Sequence, residues 1–407
     1  MKKEYLSAIV ALLLLGACSA KKEQPELTPW GTPVEQGESA DTLNHKSTGA
    51  LSLEDIIANG ELIMLTVNGP TTYYEYHGRG MGLQYMLCEK FAQQIGVSLR
   101  IEECKDTAEM VNKLSKGEGD IIAVPLPRKA EGKGSPLLFC GATPDSTRTQ
   151  WAVAAGNKSL ADTLNSWFKP QLISQVQKEE TFLLSSRSIT RHVYSPFLNR
   201  QKGVISKYDR LFQTYAPTAR MDWRLMAAQC YQESCFDPNA KSWAGAQGLM
   251  QIMPSTAAHL GLPQNMAHDP EANVAASARY MAELQGLLSD IGDPAQRILY
   301  ALAAYNGGLY HIRDAMALAK KHGRNPHNWG DVSEFVLLLS QPAYYCDPVV
   351  KHGYMRGAET VDYVQRIRTR WSEYSGVTGG GRSFSSGDSF HAAPVKSKRK
   401  YSGKYHI

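Results

Sequence analysis

The sequence predicts two folded domains, an α/β lobe followed by an all-α domain, and the prediction rests on two patterns and the chain length. Residues 51–185 alternate apolar runs with segments of helical spacing in the order strand, helix, strand, helix, strand, which is typical of a parallel sheet. Residues 205–375 contain amphipathic helical segments separated by loops with Gly, Pro and Asn. The 407 residues are enough for two or three domains with cores of their own.

The α/β region shows its elements through local patterns. Glu61–Val67 is a buried-strand pattern, and Gly82–Ile95 has its large apolar residues on one face of a helix. The other predicted elements are, in chain order, the strand Val97–Glu102, the helix Thr107–Ser115, the strands Gly119–Val124 and Trp151–Ala155, and a helix around Leu160–Phe168.

Residues 186–204 are predicted to link this region to the all-α domain. The predicted helices of the second domain are Ile205–Tyr215, Trp223–Ser234, Ser255–His259, Asn273–Leu288, Pro294–Tyr305, Leu309–Lys320, Val332–Leu339 and Thr360–Tyr374.

The N-terminus has the pattern of an export signal. Lys2 and Lys3 precede an apolar run, Ala8–Leu15, that is too short to span a bilayer as a mature helix. The run ends in Leu-Gly-Ala-Cys18, which resembles a bacterial lipobox and implies cleavage before Cys18 and lipidation of its thiol. Acyl chains would then hold the protein at a membrane; an ordinary signal peptide with a chance cysteine is the alternative. Ser19, rather than Asp, after this cysteine favours the outer membrane by analogy with other lipoproteins.

The regions next to the two ends are polar. Residues 18–50 contain several Pro, Gly and Ser and are predicted to be a flexible tether. The formal net charge of +5 comes mainly from residues 376–407, which are predicted to be a basic disordered tail. The folded body is therefore nearly neutral, which excludes a nucleic-acid-binding surface.

Cysteine and histidine spacings indicate neither a metal site nor a cofactor site. No CxxC or HExxH motif occurs in the sequence. Six cysteines remain besides Cys18, three in each domain, so each domain has at least one free thiol unless a bridge joins the domains.

The segment QESCFDPNAKSWAGAQGLMQIMPSTA, residues 232–257, carries the clearest chemical signal. It places Glu233 at the end of an apolar helix, and a Gly-rich turn follows. A carboxyl in a hydrophobic pocket has a raised pKa and can donate a proton near neutral pH. A Glu exposed at a helix end is the alternative, but the glycines and the Gly248–Gln251 run favour an acid in a cleft.

This segment resembles the catalytic segment of the soluble-lytic-transglycosylase family, whose members are lysozyme-like enzymes that cut peptidoglycan. The ordered motifs that carry the resemblance are Glu233-Ser234, Gly248–Gln251, Ala304-Tyr305-Asn306 and Tyr363-Val364. The α/β region resembles one lobe of the family-3 extracellular solute-binding proteins. The combination resembles the membrane-bound lytic murein transglycosylase F family, in which a solute-binding-like lobe precedes an all-α lysozyme-like domain.

The α/β region departs from the solute-binding family in one respect. In that family a whole second lobe lies between the third strand and the returning strand, whereas only Pro125–Gln150 separates the corresponding strands here. A domain needs about 50 residues or more, so a two-lobed clamp is excluded. A truncated lobe with a scaffolding or partner-binding role is therefore favoured over a working ligand sensor.

The resemblance implies a reaction and a set of site residues. Glu233 is the implied acid and base, and the implied substrate-binding residues are Ser234, Gly248, Met250, Gln251, Tyr305, Asn306 and Tyr363. The implied reaction cleaves the bond between N-acetylmuramic acid and N-acetylglucosamine and leaves a 1,6-anhydromuramyl end, with no cofactor. The expected partners are peptidoglycan glycan strands, a membrane and proteins of the cell-wall machinery.

Two other functions stay open at this point. Glycosidases usually use two carboxylates, so a hydrolytic muramidase of the same fold would need a second one, for which Asp237 and Glu359 are candidates. For both residues a structural role is favoured. A peptidoglycan-binding scaffold is the third possibility.

Overall fold

The computed structural model describes residues 51–127, 135–142 and 149–378. The predicted signal peptide, the lipidation site Cys18, the tether and nearly all of the basic tail lie outside the described residues. Within the described ranges, no helix is both long enough and apolar enough to cross a bilayer.

The α/β lobe is built from short strands and helices that alternate along the chain. The strands are β1 (Glu61–Thr66), β2 (Tyr74–Tyr76), β3 (Arg79–Met81), β4 (Ser98–Glu103), β5 (Ile121–Pro127), β6 (Leu137–Cys140) and β7 (Thr149–Ala154). The helices are α1 (Leu53–Asn59), α2 (Leu83–Ile95), α3 (Thr107–Lys116), α4 (Lys158–Trp167) and α5 (Gln171–Leu183).

The main sheet is mixed rather than purely parallel. Its five strands have the order β4-β1-β5-β7-β6, in which β4, β1 and β5 are parallel and β7 is antiparallel to both of its neighbours. Helix α2 lies between β1 and β4 along the chain, and helix α3 lies between β4 and β5, as predicted. The segment between Cys140 and Thr149 is too short for the crossover of about a dozen residues that a parallel pair requires, so the chain returns antiparallel.

The core of the lobe lies between this sheet and α2. Leu62, Phe91 and Trp151 are fully buried there. The indole Nε1 of Trp151 donates a hydrogen bond to Oε1 of Gln84 (2.7 Å), which satisfies the buried polar atoms of both residues.

A separate hairpin, β2–β3, projects from the lobe. Its strands pair antiparallel from Tyr74 opposite Met81 to Tyr76 opposite Arg79. The two turn residues, His77 and Gly78, both have positive φ (48° and 68°), which is the geometry of a tight two-residue hairpin turn. The sequence patterns predicted no strand at these residues.

The second domain is all-α. Its helices are α6 (Asp209–Ala219), α7 (Trp223–Ser234), α8 (Pro254–His259), α9 (Pro270–Leu287), α10 (Pro294–Gly307), α11 (Leu309–Lys321), α12 (Trp329–Leu338), α13 (Pro342–Tyr345) and α14 (Gly357–Thr378). The prediction of an α/β lobe followed by an all-α domain is therefore confirmed. Within the described residues, both domains belong to one compact unit.

Helix α7 lies at the centre of the all-α domain and packs against α6 and α14. Leu225–Ala228, Gln229 and Cys230 are all buried, so this helix has no extended solvent face. A helix buried in this way carries its C-terminal end, and with it Glu233, into the interior of the domain.

Candidate active site

Glu233 occupies the last turn of α7. The helix ends at Cys235, whose backbone is left-handed (φ 52°) and turns the chain away from the helix axis. The Glu233 side chain is half-buried, and the hydroxyl of Tyr363 on α14 donates a hydrogen bond to its Oε1 (2.5 Å). The carboxyl is therefore partly shielded from solvent and is held by a residue 130 positions further along the chain.

The surroundings of Glu233 favour the protonated carboxyl. Burial raises the pKa of Glu233 to about 7, and the negative charge of Glu359 acts in the same direction. The hydrogen bond from Tyr363 and the positive charge of Arg191 oppose this and lower the pKa. Burial dominates because charged oxygens lose their hydration in the cleft. A carboxyl with this pKa can donate a proton and later accept one near neutral pH.

Tyr363 is itself buried. Burial, reinforced by the charge of Glu233, raises the pKa of the Tyr363 phenol well above its usual range. The phenol thus keeps its proton and acts as a hydrogen-bond donor to Glu233.

Ser234, next to the acid, is fully buried. Its hydroxyl donates to the backbone carbonyl of Cys230 (3.2 Å), one turn earlier in α7. This hydrogen bond turns the Ser234 side chain back onto its own helix and not towards the acid. The side chain lies behind the cleft and not at its surface.

The turn Gly248–Gln251 forms one wall of the cleft. Gly248 has φ 80°, and a Cβ at this position would lie 2.4 Å from both the carbonyl oxygen of Ala267 and the amide nitrogen of Asn273. Only glycine fits both the backbone conformation and the space. Gln251 also has a positive φ (48°), and its amide nitrogen donates to the carbonyls of Gly248 (2.9 Å) and Ala240 (3.1 Å).

The sequence analysis missed Asn273, which holds this turn together. Its Oδ1 accepts from the backbone N–H of Met250 (2.8 Å), and its Nδ2 donates to the carbonyls of Ala267 (2.8 Å) and Gln247 (3.1 Å). A signal was present, because Asn273 and Ser277 share a helix face with the buried Met281, and polar residues on a buried face usually bond to something specific.

Tyr305 and Asn306 form the opposite part of the site at the end of α10. The Tyr305 hydroxyl donates to the carbonyl of Met250 (2.8 Å) and lies 3.3 Å from the Ser277 hydroxyl. Asn306 Oδ1 accepts from the Thr360 hydroxyl on α14 (2.8 Å). Met250 itself is fully buried, so its part in the site is its backbone carbonyl.

The predicted site residues are therefore brought together from separate helices. Glu233, Tyr305 and Asn306 are at least partly accessible, whereas Gln251 is buried. Ser234, Gly248 and Met250 lie beneath the surface of the cleft and hold its shape, and the hydroxyl of the buried Tyr363 reaches Glu233 from below.

Neither candidate for a second carboxylate is free. Asp237 is buried and accepts from the backbone N–H groups of His192 (2.6 Å) and Asn239 (3.0 Å), one on each oxygen. Glu359 accepts from the Tyr76 hydroxyl (2.7 Å) and lies 3.6 Å from the Arg356 guanidinium.

The pKa of Glu359 follows from these contacts. Burial alone would raise it, but hydrogen bonds from His77 and Tyr76 and the positive charge of Arg356 hold the pKa of Glu359 below its usual value.

A second residue that sequence reasoning missed is Arg191, in the predicted linker. Its Nη1 donates to the backbone carbonyl of Glu233 (2.8 Å), one of the carbonyls that a helix end leaves without a partner inside the helix. Two backbone hydrogen bonds between Thr190 and Lys241 hold the linker alongside the catalytic segment. Nothing local in the sequence indicates this contact, because Arg191 is 42 positions from Glu233.

The cysteines near the acid are not arranged for nucleophilic chemistry. All six cysteines within the described residues are free thiols. Cys230 is fully buried, and burial raises the pKa of its thiol well above the usual range. Across the same residues, no group of three or more His, Cys, Asp or Glu side chains is placed to hold a metal ion.

Comparisons with known proteins agree with this geometry. The family model described as the transglycosylase SLT domain matches residues 210–328. A protein of Saccharophagus degradans named membrane-bound lytic murein transglycosylase F is 26% identical over 78% of this chain and 82% of its own length. A protein of the same name from Maricaulis maris is 40% identical over 42% of this chain and 37% of its own length.

Among solved structures, the 70 kDa soluble lytic transglycosylase of Escherichia coli matches 42% of this chain and 24% of that chain, with 26% identity and a TM-score of 0.32. Within the all-α domain, residues 210–328 therefore resemble the transglycosylase SLT domain. Over about four fifths of its length the chain is similar to proteins named membrane-bound lytic murein transglycosylase F.

Proposed function

We propose that this protein is a peptidoglycan lytic transglycosylase that cleaves the β-1,4 bond between N-acetylmuramic acid and N-acetylglucosamine in cell-wall remodelling or turnover. The SLT domain and the name shared by its relatives support this function. The observation that carries it is the carboxyl of Glu233, whose pKa burial raises to about 7.

In the first step, Glu233 protonates the oxygen that links muramic acid C1 to glucosamine O4. The C1–O4 bond breaks, and the acetamido group of the substrate stabilises C1. The Tyr363 hydroxyl, 2.5 Å from Oε1, stabilises the carboxylate that this step produces. Burial favours the proton on Glu233 before the step, and the phenol limits the cost of losing it.

In the second step, the ionised Glu233 takes the proton from the C6 hydroxyl of the same muramic acid. The C6 oxygen attacks C1 and forms the 1,6-anhydro ring. The acid is protonated again and the enzyme is ready for the next bond. No water is consumed, so one catalytic carboxyl is sufficient.

The other site residues divide into two groups. We assign sugar contacts near the cleaved bond to Tyr305 and Asn306, which are partly accessible. Gln251 is buried with its amide nitrogen on two backbone carbonyls, so we assign it to the shape of the site. We assign the shape of the cleft to Ser234, Gly248 and Met250, which lie beneath its surface.

A hydrolytic muramidase would need a second carboxylate to hold the attacking water. Asp237 has both oxygens on backbone N–H groups, and Glu359 is occupied by Tyr76 and Arg356. These contacts favour the transglycosylase over the hydrolase. A scaffold without activity has no support from the site, since every motif residue is in place.

We further propose that the protein is an exported lipoprotein, anchored through Cys18 in the outer membrane and facing the periplasm. Its relatives are named membrane-bound proteins, which supports attachment to a membrane. The proposed organisation is a signal peptide (1–17), a tether (18–50), the truncated lobe (51–185), a linker (186–204), the catalytic domain (205–375) and a basic tail (376–407). Cys18→Ala should release the protein from the membrane fraction, and unchanged attachment would contradict the anchor.

Digestion of purified sacculi tests the activity directly. We expect the wild-type protein to release muropeptides with anhydro ends, each lighter by one water than the reducing sugar in mass spectrometry. Glu233→Gln keeps the size of the side chain but cannot donate a proton, so it should release none while its circular dichroism spectrum stays unchanged. Products with reducing ends would establish the hydrolase instead, and no products from a folded wild-type protein would favour the scaffold.

A further inference from the structure

A cavity of about 900 Å³ lies between the two domains. One side is formed by the α/β lobe, with Asn68 and with Glu75 and His77 of the β2–β3 hairpin. The other side belongs to the all-α domain and includes Tyr305, Asn306 and Tyr310. A cavity of this size, with aromatic rings and a few polar groups, has the features of a ligand site.

The lobe side of the cavity is held in place by specific contacts. The Tyr76 hydroxyl donates to Glu359 (2.7 Å), and the Tyr76 ring is stacked with Trp243 of the catalytic segment (ring centroids 6.3 Å apart, 9° between planes). Asn68 Oδ1 accepts from the backbone N–H of Tyr354 (2.7 Å). The hairpin is thus fixed to both the catalytic segment and the start of α14.

The cavity shares residues with the proposed active site. Tyr305, Asn306 and Thr360 line it, and the first two are the residues to which we assign sugar contacts. Glu359 also lines it and is close enough to Glu233 for its charge to raise the pKa of the acid. A glycan strand bound at Tyr305 and Asn306 can therefore extend into the cavity.

An exposed aromatic pair stands at the side of the cavity that the catalytic domain forms. Tyr310, at the start of α11, is 66% exposed, and its ring stacks on His352 (centroids 4.8 Å apart, 22° between planes). An aromatic ring this exposed buries little surface in the fold, and apolar surface exposed in a groove is typical of a binding site. The C–H face of a pyranose stacks on such a ring, while its hydroxyl and acetamido groups bond to polar side chains.

We propose that this cavity is a glycan subsite built jointly by the two domains, in which an N-acetylated sugar beyond the cleaved bond stacks on Tyr310 and faces the β2–β3 hairpin. The inference rests on the proposed function, since it names a further part of the substrate for the same cleft. The truncated lobe then acts as one wall of the substrate site.

Binding of chitooligosaccharides to the full-length protein tests the proposal. The Glu233→Gln background prevents cleavage, and a dimer and a hexamer of N-acetylglucosamine serve as short and long probes in titration calorimetry. We expect Tyr310→Ala to weaken hexamer binding about three- to tenfold and to leave dimer binding unchanged. Tyr310→Phe keeps the ring and should bind as the parent does. Phe182→Ala, an exposed aromatic on α5 outside the cavity, is the matched control.

The lobe side is tested by Glu75→Ala, an exposed residue of β2 that lines the cavity. We expect it to weaken hexamer binding about threefold through lost polar contacts. Hexamer affinity unchanged in Tyr310→Ala would overturn the stacking subsite. A loss in Tyr310→Ala without one in Glu75→Ala would overturn the joint construction and leave a site of the catalytic domain alone. Sacculus cleavage by the wild-type protein is scored separately, so a failure of the proposed function is recognised independently of these affinities.

Discussion

The pH dependence of stability measures how strongly the fold disfavours the ionised form of Glu233. Burial raises the pKa of Glu233 from 4.5 to about 7, and this difference corresponds to roughly 3 kcal/mol between the two protonation states. The side chain is half-buried, so solvent in the cleft screens part of the effect. We therefore expect about 1–3 kcal/mol to appear in the free energy of unfolding.

Proton binding decides the direction of the change. Between pH 4.5 and about 7 the folded protein binds more protons at Glu233 than the unfolded chain does. The corresponding stability is present in full below pH 4.5 and is lost as the pH rises through about 7. Glu233→Gln does not ionise. It should match the wild type near the acidic end and be more stable by about 1–3 kcal/mol at slightly alkaline pH.

Urea unfolding of both proteins at acidic, neutral and slightly alkaline pH measures the difference. The matched control is Glu359→Gln, which removes a carboxyl whose pKa the fold lowers rather than raises. Although burial alone would raise the pKa of Glu359, hydrogen bonds from His77 and Tyr76 hold it low, so its ionised form stabilises the fold. This control should lose stability above pH 4.5, where the ionised form is present, and the loss should shrink at acidic pH. A stability difference for Glu233→Gln that is the same at every pH would refute the reasoning.

Two further substitutions test the cleft. The hydroxyl of Tyr363 lowers the pKa of Glu233. Tyr363→Phe should therefore move the alkaline fall of kcat/KM to higher pH and lower the maximum of kcat/KM about tenfold. A pH profile that does not move would show that the phenol does not act on the acid. Gly248→Ala places a Cβ 2.4 Å from Ala267 O and should cost about 3 kcal/mol or more in thermal unfolding. Gly286→Ala on α9, with open space at its Cβ, should be neutral or stabilising by about 0.5–1 kcal/mol, and equal losses for both glycines would contradict the packing argument.

Local patterns predicted most of the fold because most elements are specified by their own residues. The predicted helix Trp223–Ser234 matches α7 at both ends, since Asp222 caps its start and the apolar residues are continuous. The β2–β3 hairpin was missed because its strands span only three residues each, too few to show alternation. Its turn uses His77 at a positive φ, where Asn or Asp is the usual signal.

The sequence motifs named candidate residues for the site but did not predict how deeply each side chain is buried. Ordered motifs shared with the family that the chain resembles pointed to Glu233, Tyr305 and Tyr363. They could not tell that Ser234 and Met250 lie beneath the surface, since the orientation of residues at a helix end and in an irregular turn depends on distant packing. Asn273 and Arg191 act through contacts far along the chain, which a local pattern does not contain.

Tyr363 comes from α14, and this position determines how long a segment must be to carry both the acid and its hydrogen-bond donor. The recognisable SLT segment ends at residue 328, whereas the phenol that holds the acid comes 35 residues later, after two more helices. A fragment excised at the boundary of the recognisable segment would keep the acid and lose its hydrogen-bond donor. Any recombination that moves this activity between proteins, in the laboratory or in evolution, must therefore carry the chain through at least the first turns of α14.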